Sequence, residues 1–539
     1  MSGLNGRATT IRAWRRGGCA TRPFGPAPPR RIEPPLAPAG LPTHTPPMRY
    51  PGPDPASTDD LTPAIESLLP SLERFLRFEG PDPAAHRSAW YAVLDRPLPR
   101  TGAGPDAVLA EIRDVLIANG LRTGHPGFTG WVTTAPSTIA AAAAFAQSIA
   151  SPMKYWATPG NLIDAVAIRW LVELLGFPAT FGGTFTAGGS TANLLGIGAA
   201  RQHAGERLGL DLSRDGIAGL RDPRVYASTE THHVVGRALG VLGMGRANLR
   251  SIPTDGSGRI DLDLLQAALD EDAAAGRAQV AVVGCAGDVN TGLVDPLPAL
   301  ARIAHDRGIW LHVDGAYGGF GLLDDRVRDL YGDVAAIDSF AVDPHKWLAA
   351  PVGTGAVIVR DENLLARAFA VDTGDYDRER DVVIAGDPGS PFDDIGHGTP
   401  DMGVDFSAPA RGIAVWAILS EIGADGMRAR VTRHLDCARL VAERARSSGE
   451  LEVLSEPVLS ICCFRYRPAG VTDEAALDAL NERVVAEVRA RGRTVTSSTR
   501  VRGRFAIRPC FINPRSGLED ADALVDEVLA VGQELSASS

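Results

Sequence analysis

Only two of the 539 residues carry a primary amine in the side chain: Lys154 and Lys346 are the sole lysines, and the other 52 basic residues are arginine. A deprotonated amine has a lone pair and condenses with an aldehyde to an imine, whereas a guanidinium stays protonated and is a poor nucleophile. A lysine kept where arginine stands almost everywhere else therefore points to imine chemistry. Lys346 has the better surroundings. It lies in Asp343-Pro-His-Lys-Trp, directly after the apolar run Ser339-Phe-Ala-Val, where a parallel sheet places its reactive groups. Lys154 has no such context, and its role stays open.

Thirty-two residues before Lys346, Leu311-His-Val-Asp-Gly-Ala-Tyr-Gly-Gly puts Asp314 at the end of a strand, followed by small residues that let a flat ligand approach the backbone. A carboxylate there can pair with a pyridinium nitrogen and keep it protonated, although Asp-Gly also marks ordinary turns. In Thr186-Ala-Gly-Gly-Ser-Thr-Ala-Asn, Gly188, Gly189 and Ser190 precede a helix starting near Thr191. Free amides and the positive end of the helix dipole would hold a phosphate there; a plain Gly-Ser helix cap reads the same way. A serine nucleophile of the G-x-S-x-G type fails at Ala192, and no HGGG-type oxyanion sequence occurs. Thr231-His232-His233 offers two adjacent imidazoles, and the residues alone do not choose between them.

These groups need a scaffold. From Arg224 onward, apolar strand-like runs (Arg224–Ser228, Val280–Gly284, Ile309–Asp314, Ser339–Val342, Gly355–Val359) alternate with helical stretches such as Leu297–Asp306. Continuous apolar strands separated by helices predict a largely parallel sheet covered on both faces. Upstream, apolar spacing predicts helices over Ile65–Phe75, Val108–Leu116, Ile139–Ala150 and Ile163–Leu175. The C-terminal part predicts strands at Leu451–Leu454, Leu459–Arg465 and Phe505–Arg508 with helices at Asp473–Arg491 and Leu518–Leu535, a small α+β domain.

Composition narrows the function. A net charge of −11 with 45% hydrophobic residues is that of a globular protein without a basic stripe, which argues against nucleic acid as a partner. The longest apolar stretch, Thr138–Ala146, is too short for a membrane span, for which ~18 residues are needed. Neither lysine follows a glycine, which excludes a P-loop. Six scattered cysteines without a C-x-x-C pair fit a reducing compartment and no metal site.

Together, Ala187-Gly-Gly-Ser-Thr-Ala-Asn, Thr231-His-His, His312-Val-Asp-Gly-Ala-Tyr and Asp343-Pro-His-Lys-Trp closely resemble the signature segments of the group II pyridoxal-phosphate-dependent amino acid decarboxylases, the family of the aromatic-amino-acid and glutamate decarboxylases. The likeness runs from about His125-Pro-Gly-Phe to Arg508-Pro-Cys-Phe-Ile-Asn-Pro. It implies an α/β architecture of PLP-dependent fold type I: a helical arm (56–124), a large cofactor domain (125–415) and a small C-terminal α+β domain (416–539). It also implies pyridoxal 5′-phosphate joined to Lys346 as a Schiff base, Asp314 on the pyridine nitrogen, His232 stacked on the ring and Ala316 packed beneath it. Gly188, Gly189 and Ser190, helped by His345, would hold the phosphate. Tyr376, in the Gly- and Asp-rich stretch Asp372–Asp381, matches the loop tyrosine that protonates the product carbon. The implied reaction is decarboxylation of an L-amino acid to an amine and CO2 by a cytoplasmic homodimer. An aminotransferase, a carbon–carbon lyase of the sphingosine-phosphate-lyase type and a non-catalytic interaction protein are the alternatives.

Three departures concern the substrate side. Ser407-Ala-Pro-Ala-Arg411 lacks two arginines that many relatives carry and puts Pro409 at an expected helix start. Asp288 brings a charge where a neutral hydrogen-bonding pair is commoner, and Asp343 stands where Asn often precedes Pro-His-Lys. At the other end, the first fifty residues hold eight arginines, one acid and ten prolines, too little apolar surface to order themselves; residues 1–55 are expected to be a disordered tail or to include an upstream start. Mass spectrometry of the native N-terminus is expected to find Met48 as the first residue if the start lies there, and Met1 if the tail is retained.

Overall fold

The computed structural model describes residues 61–78, 87–150, 153, 159–370 and 402–537. The chain divides into a unit Met1–Thr58, outside those residues, and a unit Asp59–Ser539. The Pro-rich tail, Lys154 and Tyr376 all lie outside the described residues.

Twelve strands form two sheets among the described residues. A two-residue strand, β1 (Phe128–Thr129), belongs to the second sheet, and the next seven build the first: β2 (Gly182–Thr186), β3 (Arg224–Ser228), β4 (Leu249–Ile252), β5 (Gln279–Cys285), β6 (Trp310–Asp314), β7 (Ser339–Val342) and β8 (Gly355–Val359). Their spatial order is β2-β8-β7-β6-β5-β3-β4. The pairs from β4 to β7 are parallel, and β8 runs antiparallel to both neighbours. Side chains alternate between two separate cores, which is why these strands read as unbroken apolar runs. Tyr226, Val282, Leu311, Val313, Phe340 and Ile358 join the core that holds the Pro159–Leu174 and Leu297–Asp306 helices. Val225, Ala227, Val283, Ala341 and Val357 face the opposite core, built with the Gly189–Arg207 and Val234–Val241 helices. The expected parallel sheet with helices on both faces is present.

The second sheet has the order β1-β11-β12-β10-β9, with β9 at Leu451–Ser455, β10 at Cys463–Tyr466, β11 at Val495–Val501 and β12 at Arg504–Arg508. Helices Glu474–Arg491 and Leu518–Ala537 cover it through Val484, Val488, Leu524 and Val528. β1 pairs parallel with β11, Phe128 opposite Val495, so a segment assigned to the large domain adds an edge to the small domain's sheet. The expected boundary at 415/416 falls inside the Gly412–Ser448 helix, which is broken only at Gly423, where φ is 66°. Its first part packs Val415, Ile418 and Val431 into the large core, and its last part packs Cys437 and Val441 into the small one.

Several elements escape the hydrophobic pattern for physical reasons. β2 reads Gly-Gly-Thr-Phe-Thr, and glycine is a poor strand former; Gly183 is needed because a Cβ there would strike the Val357 carbonyl of β8. β11 reads Val-Thr-Ser-Ser-Thr-Arg-Val and is held by ladders on both sides rather than by apolar side chains. The strand expected over Leu459–Arg465 is confined to Cys463–Tyr466, because Leu459 and Ile461 leave the ladder for the large core. The helix expected over Val108–Leu116 is α-helical at Pro105–Glu111 and continues as a π-helical turn over Ile112–Ile117.

The Gly189–Arg207 helix approaches the sheet through Gly196, where an added Cβ would come within 2.5 Å of His312 Cε1 and Nδ1. Gly196→Ala is expected to lower stability by about 1–3 kcal/mol through overpacking. Gly256→Ala, at a position with nothing within 4 Å of the added carbon, should change it by under about 0.5 kcal/mol; thermal unfolding of the two variants checks the contrast.

Candidate active site

The carboxyl ends of β5, β6 and β7, the segment after β3 and the turn after β2 converge on a cavity of about 510 Å³. Its lining includes Gly188, Gly189, Ser190, His232, Asp314, Ala316, His345 and Lys346. Every described residue singled out from the sequence for cofactor chemistry is thus in one place, at the end of the sheet where ligands of open parallel sheets bind.

Asp314 ends β6, two residues beyond His312 and on the same face. It is 8% exposed, and its Oδ1 accepts a hydrogen bond from the Ala316 amide at 3.1 Å, which fixes the carboxylate towards the cavity. Lys346 lies four residues after β7, in a turn where its own amide donates to Asp343 O and its carbonyl accepts from Ala349 N. Its Nζ is 3.0 Å from Asp343 Oδ2.

At the turn after β2, Gly188 adopts φ 127° and opens the Gly189–Arg207 helix. The first intrahelical bonds start with the Thr191 and Ala192 amides, both donating to Gly188 O, which leaves the Gly189 and Ser190 amides at the open end of the helix. A Cβ on Gly189 would lie 2.7 Å from Asp343 Oδ2 and 2.9 Å from the Ala316 methyl, so only glycine fits. His345 lies against this turn, and its Nδ1 bonds the Thr354 carbonyl at 2.9 Å.

Of the two adjacent histidines, His232 lines the cavity and His233 is exposed, with ring centroids 4.1 Å apart. Burial first, then the neighbouring His233, lowers the His232 pKa from its ordinary value, so the ring presents a neutral flat face. Cys285 also lines the cavity, but burial and the carboxylates of Asp295 and Asp314 push its thiol well up, which removes it as a nucleophile.

This set of groups fits pyridoxal phosphate. A glycine cradle that any Cβ would fill sits at a helix N-terminus for a phosphate, a carboxylate at a strand end suits a pyridinium nitrogen, and an amine lies in the same cavity for an aldehyde. The charge that Asp288 brings is spent within its own loop. Its oxygens accept from the Asn290, Thr291 and Leu293 amides, each at 2.8 Å, and from the Thr291 hydroxyl, so it is a loop cap turned away from the cavity. The helix after Pro409 begins at Gly412 rather than at the proline, and Arg411 lies 3.8 Å from Asp405 and does not line the cavity.

Two supporting networks went unread in the sequence. Asn193 Nδ2 donates to Gly189 O at 2.8 Å, so its Oδ1 faces His312 Nε2, also at 2.8 Å, and that nitrogen must carry the proton. His312 Nδ1 then accepts from the Ser339 hydroxyl at 2.8 Å, whose oxygen accepts from Trp310 Nε1 at 2.7 Å. Every member is satisfied, and the chain ties the Gly188–Ser190 turn to β6 and β7. In the second network, Trp347 Nε1 donates to His434 Nδ1 at 2.7 Å and His434 Nε2 donates to Asn513 O at 2.8 Å. Tyr317 stacks on Trp347 with ring centroids 5.6 Å apart, and His434 lies nearly coplanar with the indole, 14° from its plane. His312, Trp347 and Asn513 stand in the motif segments, so their presence there was the available signal; His434, alone on a distant helix, gave none.

The family model for the pyridoxal-dependent decarboxylase conserved domain matches residues 90–467. The chain belongs to this family. Its cofactor is accordingly pyridoxal phosphate and its reaction is decarboxylation of an amino acid. The aromatic-L-amino-acid decarboxylase of Bacillus atrophaeus is 29% identical over 448 residues, covering 83% of this chain and 89% of the relative. The L-2,4-diaminobutyrate decarboxylase of Rhizobium meliloti is 28% identical over 442 residues, covering 81% and 84%. Among solved structures, Oryza sativa TDC with PLP and tryptamine superposes with a TM-score of 0.80 at 23% identity, over 89% of this chain and 99% of that one, a likeness of fold.

Burial lowers His312 to about 4 and His434 to about 3. A histidine of the unfolded chain protonates near ~6.5, so the unfolded state takes up these protons first. The stability the two neutral rings contribute is complete above that pH and is lost as pH falls towards the folded values. Unfolding at pH 5–5.5 is therefore expected to take up about two protons at these sites, and His312→Gln or His434→Gln to reduce the uptake by about one each, measured from the pH dependence of urea unfolding.

Proposed function

We propose that this protein decarboxylates an L-amino acid with Lys346, Asp314, His232 and the Gly188–Ser190 turn as its working residues. The observation that carries the reading is the meeting of Asp314 and Lys346 in one cavity, from the ends of two adjacent parallel strands. Bound there, pyridoxal phosphate supplies an aldehyde for amines and a protonated ring that takes up the electron pair left at Cα when a bond there breaks.

Each residue then has a task set by its surroundings. Asp314, restrained by the Ala316 amide, holds a proton on the ring nitrogen. His232, neutral and half-buried, would offer its flat face to the ring, and the small Ala316 would leave room for it beside the backbone. The Gly189 and Ser190 amides bind the phosphate, with Gly188 providing the turn and His345 beside it. Lys346 would hold the aldehyde through its amine. Val132, Val289 and Val352 add apolar surface to the lining. Tyr376 is assigned as proton donor to Cα on the sequence resemblance alone.

The same proposal includes a homodimer in the cytoplasm. Leu69, Leu72, Leu116, Phe145 and Ile149 on the N-terminal helices and the Thr138–Ala150 helix are exposed, an apolar surface that a second copy would cover. The five described cysteines are all free and buried, which supports a reducing compartment. No described helix is long and apolar enough to cross a membrane.

Incubation with a panel of L-amino acids is expected to yield CO2 and the matching amine in equal amounts; accumulation of a keto acid instead would contradict decarboxylation. Asp314→Ala should retain the cofactor and lose at least ~10²-fold in kcat, measured under saturating cofactor.

A further inference from the structure

Asp343 is a second carboxylate in the cavity, and the reaction as derived gives it no task. It follows β7 directly and is 2% exposed. Its Oδ2 stands 3.0 Å from Lys346 Nζ and 3.7 Å from His345 Nε2. Its Oδ1 is buried and has no hydrogen-bond partner among the described residues. Backbone closes in on both oxygens: a Cβ on Gly189 would lie 2.7 Å from Oδ2, and one on Gly355 2.7 Å from Oδ1. The group has little room to turn towards another partner.

A buried carboxylate is costly unless it is paired, and the nearest cation to this one is the Lys346 ammonium. That ammonium has three N–H donors. When the lysine joins an aldehyde carbon, the carbonyl oxygen leaves as water with two of those hydrogens, and the nitrogen keeps at most one. When the substrate amine takes the lysine's place, the amine and one proton return and the ammonium is restored.

We propose that Asp343 is a positioning residue that favours the released lysine. It stabilises the free Lys346 ammonium, so it weakens the covalent hold of the protein on its cofactor and eases displacement by the substrate amine. This rests on the reading that Lys346 carries the cofactor aldehyde. An asparagine at this position would lack the charge, so the effect belongs to the aspartate.

Two forms of the cofactor separate an effect on the lysine from an effect on the phosphate nearby. Pyridoxal phosphate consumes the ammonium, whereas pyridoxamine phosphate has no aldehyde and leaves it intact. Both dissociation constants are measured by fluorescence titration of the full-length protein after its cofactor has been dialysed away. Asp343→Asn is expected to shift the affinity ratio towards pyridoxal phosphate by about tenfold, and to leave that ratio unchanged in a Lys346→Ala background. Asp343→Ser gives the same direction should the asparagine variant be unstable. A shift below about threefold, a shift of the opposite sign, or both constants moving together would overturn the proposal. A wild-type protein that binds neither form would instead contradict the parent reading.

Discussion

The structure depends on the parallel pairing of β6 with β7. In that register Asp314 lies opposite Ala341, two residues before Asp343 and five before Lys346. A carboxylate and an amine far apart in the chain therefore leave the sheet side by side and at the same end. Most of the large domain serves to keep these two exits in place. Both faces of the strands are buried in separate cores, so neither strand can slip without exposing its apolar side chains. The Gly189–Arg207 helix is drawn against β6 by Gly196 and fastened by the Asn193–His312–Ser339 chain. Next to Lys346, Trp347 is held by Tyr317 stacked on its ring and by its hydrogen bond to His434.

Three aspartates near the site show how environment decides what one side chain does. Asp288 spends its oxygens on three amides and a hydroxyl and is a structural cap. Asp314 has one amide bond and keeps the rest of its capacity for the cavity. Asp343 has an ion pair with Lys346 on one oxygen and, among the described residues, no hydrogen-bond partner on the other. Polar satisfaction, not residue type, separates the three roles.

Much of this was legible in the sequence because the strands that carry the site are buried on both faces and so announce themselves as apolar runs. The Gly188–Ser190 turn, Asp314 and Lys346 follow such strands or precede a helix, and their chemistry is local. What was hidden depends on contacts between distant segments. β2 and β11 are built from glycine or polar residues and exist because of their neighbours in the ladder. The choice of His232 over His233 needs the cavity. That Asp288 spends its charge on its own loop was hidden because the loop amides cannot be placed from spacing. The Trp347–His434–Asn513 contact joins residues 79 to 87 positions apart and has no local signature.

The most direct measurement is borohydride reduction of the cofactor-bound protein followed by peptide mass mapping. With only Lys154 and Lys346 in the chain, the label has two lysines to choose from. A pyridoxyl group on the peptide containing Lys346, and absent after Asp343-Pro-His-Lys-Trp is changed to carry alanine at 346, is the predicted result. A label on Lys154, or no label on either lysine after borohydride treatment, would contradict the account.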